Sequence, residues 1–225
     1  MTTSLLPAVR LDPPGKATHA VIWLHGLGAD GNDFVPIVPE LGLARSAKVR
    51  FVFPHAPVMP VTLNGGMRMR AWYDITELNL KRTTDEPTIR ANAQRVRDLI
   101  AHEAAEGIPS HRIVLAGFSQ GGALALFTGL RHSERLAGII GLSCYLLCDD
   151  SFDRELADAN RATPVYLAHG TRDPVVPVAG GDHAHARLRD AGVPVEYATF
   201  PMQHEVCWDE IRAIGSFLNR CFEAV

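Results

Sequence analysis

The chain has 225 residues, a formal net charge of −3 and 47% hydrophobic residues. This is enough apolar content for one packed α/β domain over 1–225 and too much for a disordered chain. Mild acidity and scattered basic residues argue against a nucleic acid or an anionic membrane as partner. The N-terminal residues show no charged segment followed by an apolar stretch, and no apolar run reaches the length of a membrane span. A cytoplasmic protein without stable membrane insertion is the expectation. Cys144, Cys148, Cys207 and Cys221 match no zinc or redox spacing and read as free thiols.

Short apolar runs alternate with longer segments of helical period. "AVRLD" (8–12) reads as an edge strand. "HAVIWLHG" (19–26), "KVRFVFP" (48–54), "RIVLAG" (112–117), "LAGIIGLS" (136–143) and "PVYLAHG" (164–170) read as strands covered on both faces, because they are nearly continuous in apolar residues. "VEYATFP" (195–201) is a weaker strand of the same set. The helix over 85–107 has Asp85 as cap, Pro87 in its first turn and Gly107 as its stop, with Ile89, Ala93, Val96, Leu99 and Ile100 as its apolar stripe. Two more helices fall over 182–192 and 205–224. The alternation predicts a doubly wound, mostly parallel sheet with helices on both faces. The stretch 55–84 reads as one long loop, a length that is usually functional.

In an open parallel sheet, ligands bind beyond the carboxyl ends of the strands. His25, Ser119, Asp173 and His204 all fall at such ends. Ser119 lies between Gly117 and Gly121, where a strand passes into "GGALALFTGL", a helix apolar nearly all round. That is a G-x-S-x-G nucleophile elbow, a sharp turn in which flanking side chains would clash. A chance match to the bare pattern arises in on the order of one chain in ten of this length; its place between a strand and a buried helix gives it weight. A serine nucleophile needs a base, and the base an orienting acid. The chain order serine, acid, histidine selects Asp173 and His204, each just past a predicted strand. His183 and His185 read as solvent-exposed and His169 as a satisfied core histidine.

Gly26, Gly28 and Gly31 match G-x-G-x-x-G after a strand, and a nucleotide-dependent oxidoreductase is the rival reading. That reading needs a ribose-binding acid at the end of the second strand, and the strand there ends "FPHAP". The preferred role of the loop is to supply an oxyanion amide at Leu27, paired with that of Gln120. A non-catalytic binding module is a further rival, disfavoured by the complete serine, acid and histidine set. No metal-ligand motif is present, so neither metal nor other cofactor is expected. The loop 55–84 carries excess apolar surface, and Leu63, Met67, Met69 and Trp72 are the expected walls of an acyl site for short to medium chains.

"HGLGADGNDF", "PHAPVMPVTLNGGMRMRAWYD", "GFSQGGALAL", "HGTRDPVVP" and the histidine of "PMQHE" together resemble the phospholipase/carboxylesterase family, from about residue 19 to the C-terminus. The resemblance implies an α/β-hydrolase fold without a large lid and hydrolysis of carboxylic esters or thioesters. It places the nucleophile at Ser119, the acid at Asp173, the base at His204 and the oxyanion amides at Leu27 and Gln120. A homodimer is suggested by similar bacterial enzymes alone; no residue points to it. Two departures stand out. Glu205 follows the histidine, where the family often has a small hydroxyl residue. The chain begins Met-Thr-Thr, without the lipidated N-terminal cysteine of the eukaryotic thioesterases, so recruitment to membranes by that route is not expected.

Overall fold

The computed structural model describes residues 5–44, 46–76 and 85–223. Among them, nine strands and five α-helices follow the chain in the order β1 (Ala8–Leu11), β2 (His19–Leu24), β3 (Val49–Pro54), β4 (Val58–Val61), β5 (Met67–Arg70), α1 (Glu86–Ala105), β6 (Ile113–Phe118), α2 (Gln120–Leu130), β7 (Gly138–Leu142), α3 (Asp149–Glu155), β8 (Val165–Gly170), α4 (Val178–Asp190), β9 (Val195–Phe200) and α5 (Trp208–Glu223). Seven strands make one sheet in the order β1-β3-β2-β6-β7-β8-β9. Only β1 is antiparallel to its neighbour, with Ala8 opposite Pro54 and Leu11 opposite Phe51.

The apolar runs lie where two-sided burial puts them. Every residue of β2 is buried, and its side chains divide between the two faces. Ala20, Ile22 and Leu24 pack with α1 and α2, whereas Val21 and Trp23 pack with α5. The α5 helix buries Ile211, Ile214, Phe217, Leu218, Cys221 and Phe222 along one side, the stripe expected of a helix covering a sheet. Every residue of α2 is buried, so that helix runs through the middle of its layer. The Asp85 carboxylate caps α1 by accepting from the Thr88 N–H at 3.3 Å. Edge strand β1 is held by charge as well as by its ladder. Arg10 and Arg50 each meet the fully buried Glu103 carboxylate of α1 at 2.9 Å.

Two expectations need correction. The stretch 55–84 is not an unstructured loop: β4 and β5 form an antiparallel hairpin with Val58 opposite Arg70 and Val61 opposite Met67. Residues 77–84 of that stretch lie outside the described residues. The helix expected over 182–192 begins earlier, at Val178, directly after Pro177.

Candidate active site

The loops at the carboxyl ends of β2, β6, β8 and β9 converge on one cleft of about 230 Å³. At its floor β6 passes into α2 through Ser119, whose φ of 55° and ψ of −120° are unusual for a residue with a side chain. Two glycines permit this. A β-carbon on Gly117 would lie 2.4 Å from the Gly121 carbonyl, and one on Gly121 would lie 2.4 Å from the carbonyl oxygens of Leu24 and His25. The second contact shows what the pattern alone does not. Gly121 is required by the neighbouring strand β2, against which α2 begins, and not only by the turn. The Ser119 N–H donates to Leu142 O at 2.8 Å, fixing the elbow to β7.

Ser119, His204 and Asp173 form one chain of hydrogen bonds. Ser119 Oγ lies 2.9 Å from His204 Nε2, and His204 Nδ1 lies 2.6 Å from Asp173 Oδ2. The carboxylate can only accept, so Nδ1 carries the ring proton and Nε2 is left to accept from the serine hydroxyl. Asp173 is oriented by its other oxygen, which accepts the N–H groups of Val175 and Val176 at 2.8 Å each. Its side chain is wholly buried, against 16% exposure for His204. The imidazole also rests on the Phe118 ring at 4.7 Å. Glu205, next in sequence to His204, turns back on its own loop, where its carboxylate accepts from the Gln203 N–H at 3.3 Å.

The other histidines divide as expected, with one refinement. His169 is a buried, satisfied residue whose Nε2 meets Val176 O at 2.9 Å; burial pulls its pKa down and keeps it neutral beside Asp173. His183 is exposed and paired with Asp149 at 2.7 Å. His185 is only half-exposed and lies against the Tyr197 ring.

Leu27 and Gln120 both line the cleft beside Ser119, and neither main-chain N–H has an acceptor among the described residues. Both are braced by residues 70–73. Arg70 O accepts the Gly28 N–H at 2.9 Å, and the Trp72 indole N–H donates to His25 O at 2.8 Å. The Gln120 side chain accepts the Trp72 N–H at 2.8 Å and donates to Tyr73 O at 2.7 Å. Asn92 of α1 holds Trp72 O at 2.6 Å from behind.

This corrects most of the expected acyl wall. Of its four residues only Leu63 lines the cleft. Trp72 is fully buried behind His25 and Gln120, Met67 is 64% exposed on the hairpin, and Met69 accepts a hydrogen bond from Asn64 at 3.3 Å. Other apolar walls include Ile75, Phe118, Tyr145, Val175 and Val176. Tyr145 and Val175 could have been found by the rule that selected the triad, since both follow the carboxyl end of a strand. Ile75 could not, because its place depends on how the chain returns from the hairpin. The dinucleotide reading of Gly26, Gly28 and Gly31 also fails on geometry. The loop leads into a 3-10 segment, Val35–Leu41, and not directly into the α-helix N-terminus that a pyrophosphate needs.

A mostly parallel sheet with a serine elbow at the mouth of its central strands defines an α/β-hydrolase, here with no separate lid over the cleft among the described residues. The family model for phospholipase/carboxylesterase matches residues 9–222. The chain is 41% identical to acyl-protein thioesterase 1 of Neurospora crassa, covering 96% of this chain and 89% of that protein. It is 38% identical to acyl-protein thioesterase 1 of Gibberella zeae, covering 90% of each. Among solved structures, Arabidopsis thaliana SOBER1 superposes with a TM-score of 0.85 at 31% identity, covering 90% of this chain and 98% of its own. Zea mays acyl-protein thioesterase 2 superposes at 0.87 with 25% identity, covering 96% and 99%. The chain belongs to the phospholipase/carboxylesterase family.

Proposed function

We propose that this protein is a serine esterase and thioesterase in which Ser119 forms an acyl-enzyme. The observation that carries the reading is the hydrogen-bonded chain from Asp173 through His204 to Ser119, which shares the cleft with Leu27 and Gln120. The acyl carbonyl enters the cleft with its oxygen toward the N–H groups of Leu27 and Gln120. His204 Nε2 takes the hydroxyl proton as Ser119 Oγ bonds to the carbonyl carbon. The two amides and the N-terminus of α2 stabilise the oxyanion. The tetrahedral adduct collapses, its bond to the leaving oxygen or sulfur breaks, and His204 returns the proton to that atom. Water then repeats the sequence against the acyl-serine, releasing a carboxylic acid and restoring Ser119. Asp173 holds the imidazole tautomer throughout and stabilises the imidazolium.

The apolar walls support an acyl substrate, and the relatives named acyl-protein thioesterase support a thioester among the scissile bonds. Turnover of matched p-nitrophenyl butyrate and butyryl thioester tests the reading. Ser119→Ala is expected to abolish both activities, and His204→Ala and Asp173→Asn to lower kcat by about 10⁴-fold each. Full activity in Ser119→Ala, or a dispensable His204, would exclude this mechanism.

A further inference from the structure

His25 and His55 stand on two neighbouring loops, the first after β2 and the second after β3, and each reaches across to the other's main chain. The Ala56 N–H donates to His25 Nε2 at 3.0 Å. The Gly31 N–H donates to His55 Nδ1, also at 3.0 Å. With Nε2 accepting, the proton of His25 lies on Nδ1, which donates to Gly26 O at 2.7 Å. These bonds bracket residues 26–31, the stretch that carries Leu27. The seat is close: a β-carbon on Gly31 would lie 2.3 Å from Phe53 O and 3.2 Å from His55 Cε1. The loop therefore rests directly on the end of β3, with the His55 ring as part of its support.

We propose that His25 and His55 are positioning residues that hold the Leu27 amide in place through this reciprocal clasp, and that the clasp holds only while both rings are neutral. The inference rests on the reading of Ser119 as nucleophile and Leu27 as oxyanion donor. A proton on His25 Nε2 or His55 Nδ1 replaces an acceptor with a donor, which then faces a main-chain N–H. The bond is lost and two donors confront each other. Among the described residues, the charged groups facing the pair are Asp30 and Arg70, besides the two rings themselves. Asp30 favours an imidazolium, but its carboxylate is already engaged by Asn32 at 2.7 and 3.0 Å. Arg70, whose guanidinium donates to Ala56 O at 2.9 Å, opposes one. Burial pulls the pKa of His25 down and keeps it neutral, whereas His55 is only half-buried, with part of its ring open to solvent.

Two substitutions at one position separate the clasp from general packing. His55→Ala removes the acceptor. His55→Asn places an amide oxygen where Nδ1 was, able to accept from the Gly31 N–H and unable to titrate. With p-nitrophenyl butyrate at pH 8, His55→Ala should lower kcat on the order of 10- to 100-fold and leave KM within about twofold. His55→Asn should recover kcat to within about threefold of the unsubstituted protein. In acid, log(kcat/KM) of the unsubstituted protein should fall more steeply than a single ionisation allows, and that of His55→Asn should follow the single ionisation of the base. An unimpaired His55→Ala, a His55→Asn no faster than His55→Ala, or equal acid slopes would each overturn the proposal. If His55→Ala fails to fold by circular dichroism, His55→Asn decides alone through its rate and its acid slope. Ser119→Ala is assayed in parallel. Full turnover in that variant would remove the nucleophile reading itself, whereas an inactive Ser119→Ala beside an unimpaired His55→Ala would remove only the clasp.

Discussion

Ser119 is held at a backbone conformation that costs of order 1–3 kcal/mol for a residue with a side chain. The cost is met by the packing of β2, β6 and α2 around it, and its return is a hydroxyl standing clear of the sheet. A second conflict between residue and environment lies at Glu210, on the first turn of α5 and fully buried. Burial pushes its carboxyl up to about 8, with a smaller opposing effect from the Cys207 N–H. The unfolded chain releases that proton near pH 4.5, so between pH 4.5 and about 8 the folded state holds one proton more. Stability from this group is therefore full below the lower value, declines as pH rises, and is lost above the upper one. Glu210→Gln, neutral throughout, is expected to flatten the decline. Its melting temperature should exceed that of the unsubstituted protein at pH 9 by several degrees, roughly what a few kcal/mol gives in a chain of this size. Parallel melting curves for the two proteins from pH 5 to pH 9 would refute the buried-carboxyl account.

Among the elements, residues 70–73 have the least obvious role. They run from the last residue of the hairpin onward, yet they tie His25, Gly28 and Gln120 into one frame. Trp72→Phe keeps the bulk and removes the bond to His25 O; Gln120→Ala removes two bonds and keeps the main-chain amide. Each is expected to lower kcat on the order of 10-fold or more, with KM nearly unchanged, because a displaced oxyanion donor acts on the transition state. A rise in KM at constant kcat would instead return Trp72 to the acyl wall. The contrast with the rest of the fold explains which elements sequence reasoning finds. Strands β2, β3, β6, β7 and β8 announce themselves because burial on both faces makes them continuous apolar runs. The hairpin β4–β5 does not, since "VMPV" and "MRMR" are short, interrupted by Pro60 and two arginines, and buried at Val61 alone. Ser119, Asp173 and His204 are legible because each sits just beyond a strand of a parallel sheet. Trp72, Met67 and Leu63 are alike as apolar letters, and only the tertiary path sends one inward, one to solvent and one to the cleft.

For the molecule as a whole, the proposed acyl chain has a bounded cleft to enter. Leu63, Ile75 and Tyr145 line it together with Val175 and Val176, which adjoin the Asp173 turn. At about 0.8 kcal/mol per buried methylene, kcat/KM on p-nitrophenyl esters should rise roughly fourfold per added carbon until the cleft is filled, then level or fall. Leu63→Asp and Ile75→Asp should flatten that rise with acetate turnover nearly unchanged, while Met67→Asp should leave the whole profile as it was. A flat profile in the unsubstituted protein would deny the cleft an acyl role. The central claim, that this fold exists to present one activated serine, is tested most directly by a fluorophosphonate probe followed by peptide mass mapping. The account predicts a single adduct, on Ser119, absent from Ser119→Ala and strongly slowed in His204→Ala. An adduct on another serine, or undiminished labelling of Ser119→Ala, would contradict it.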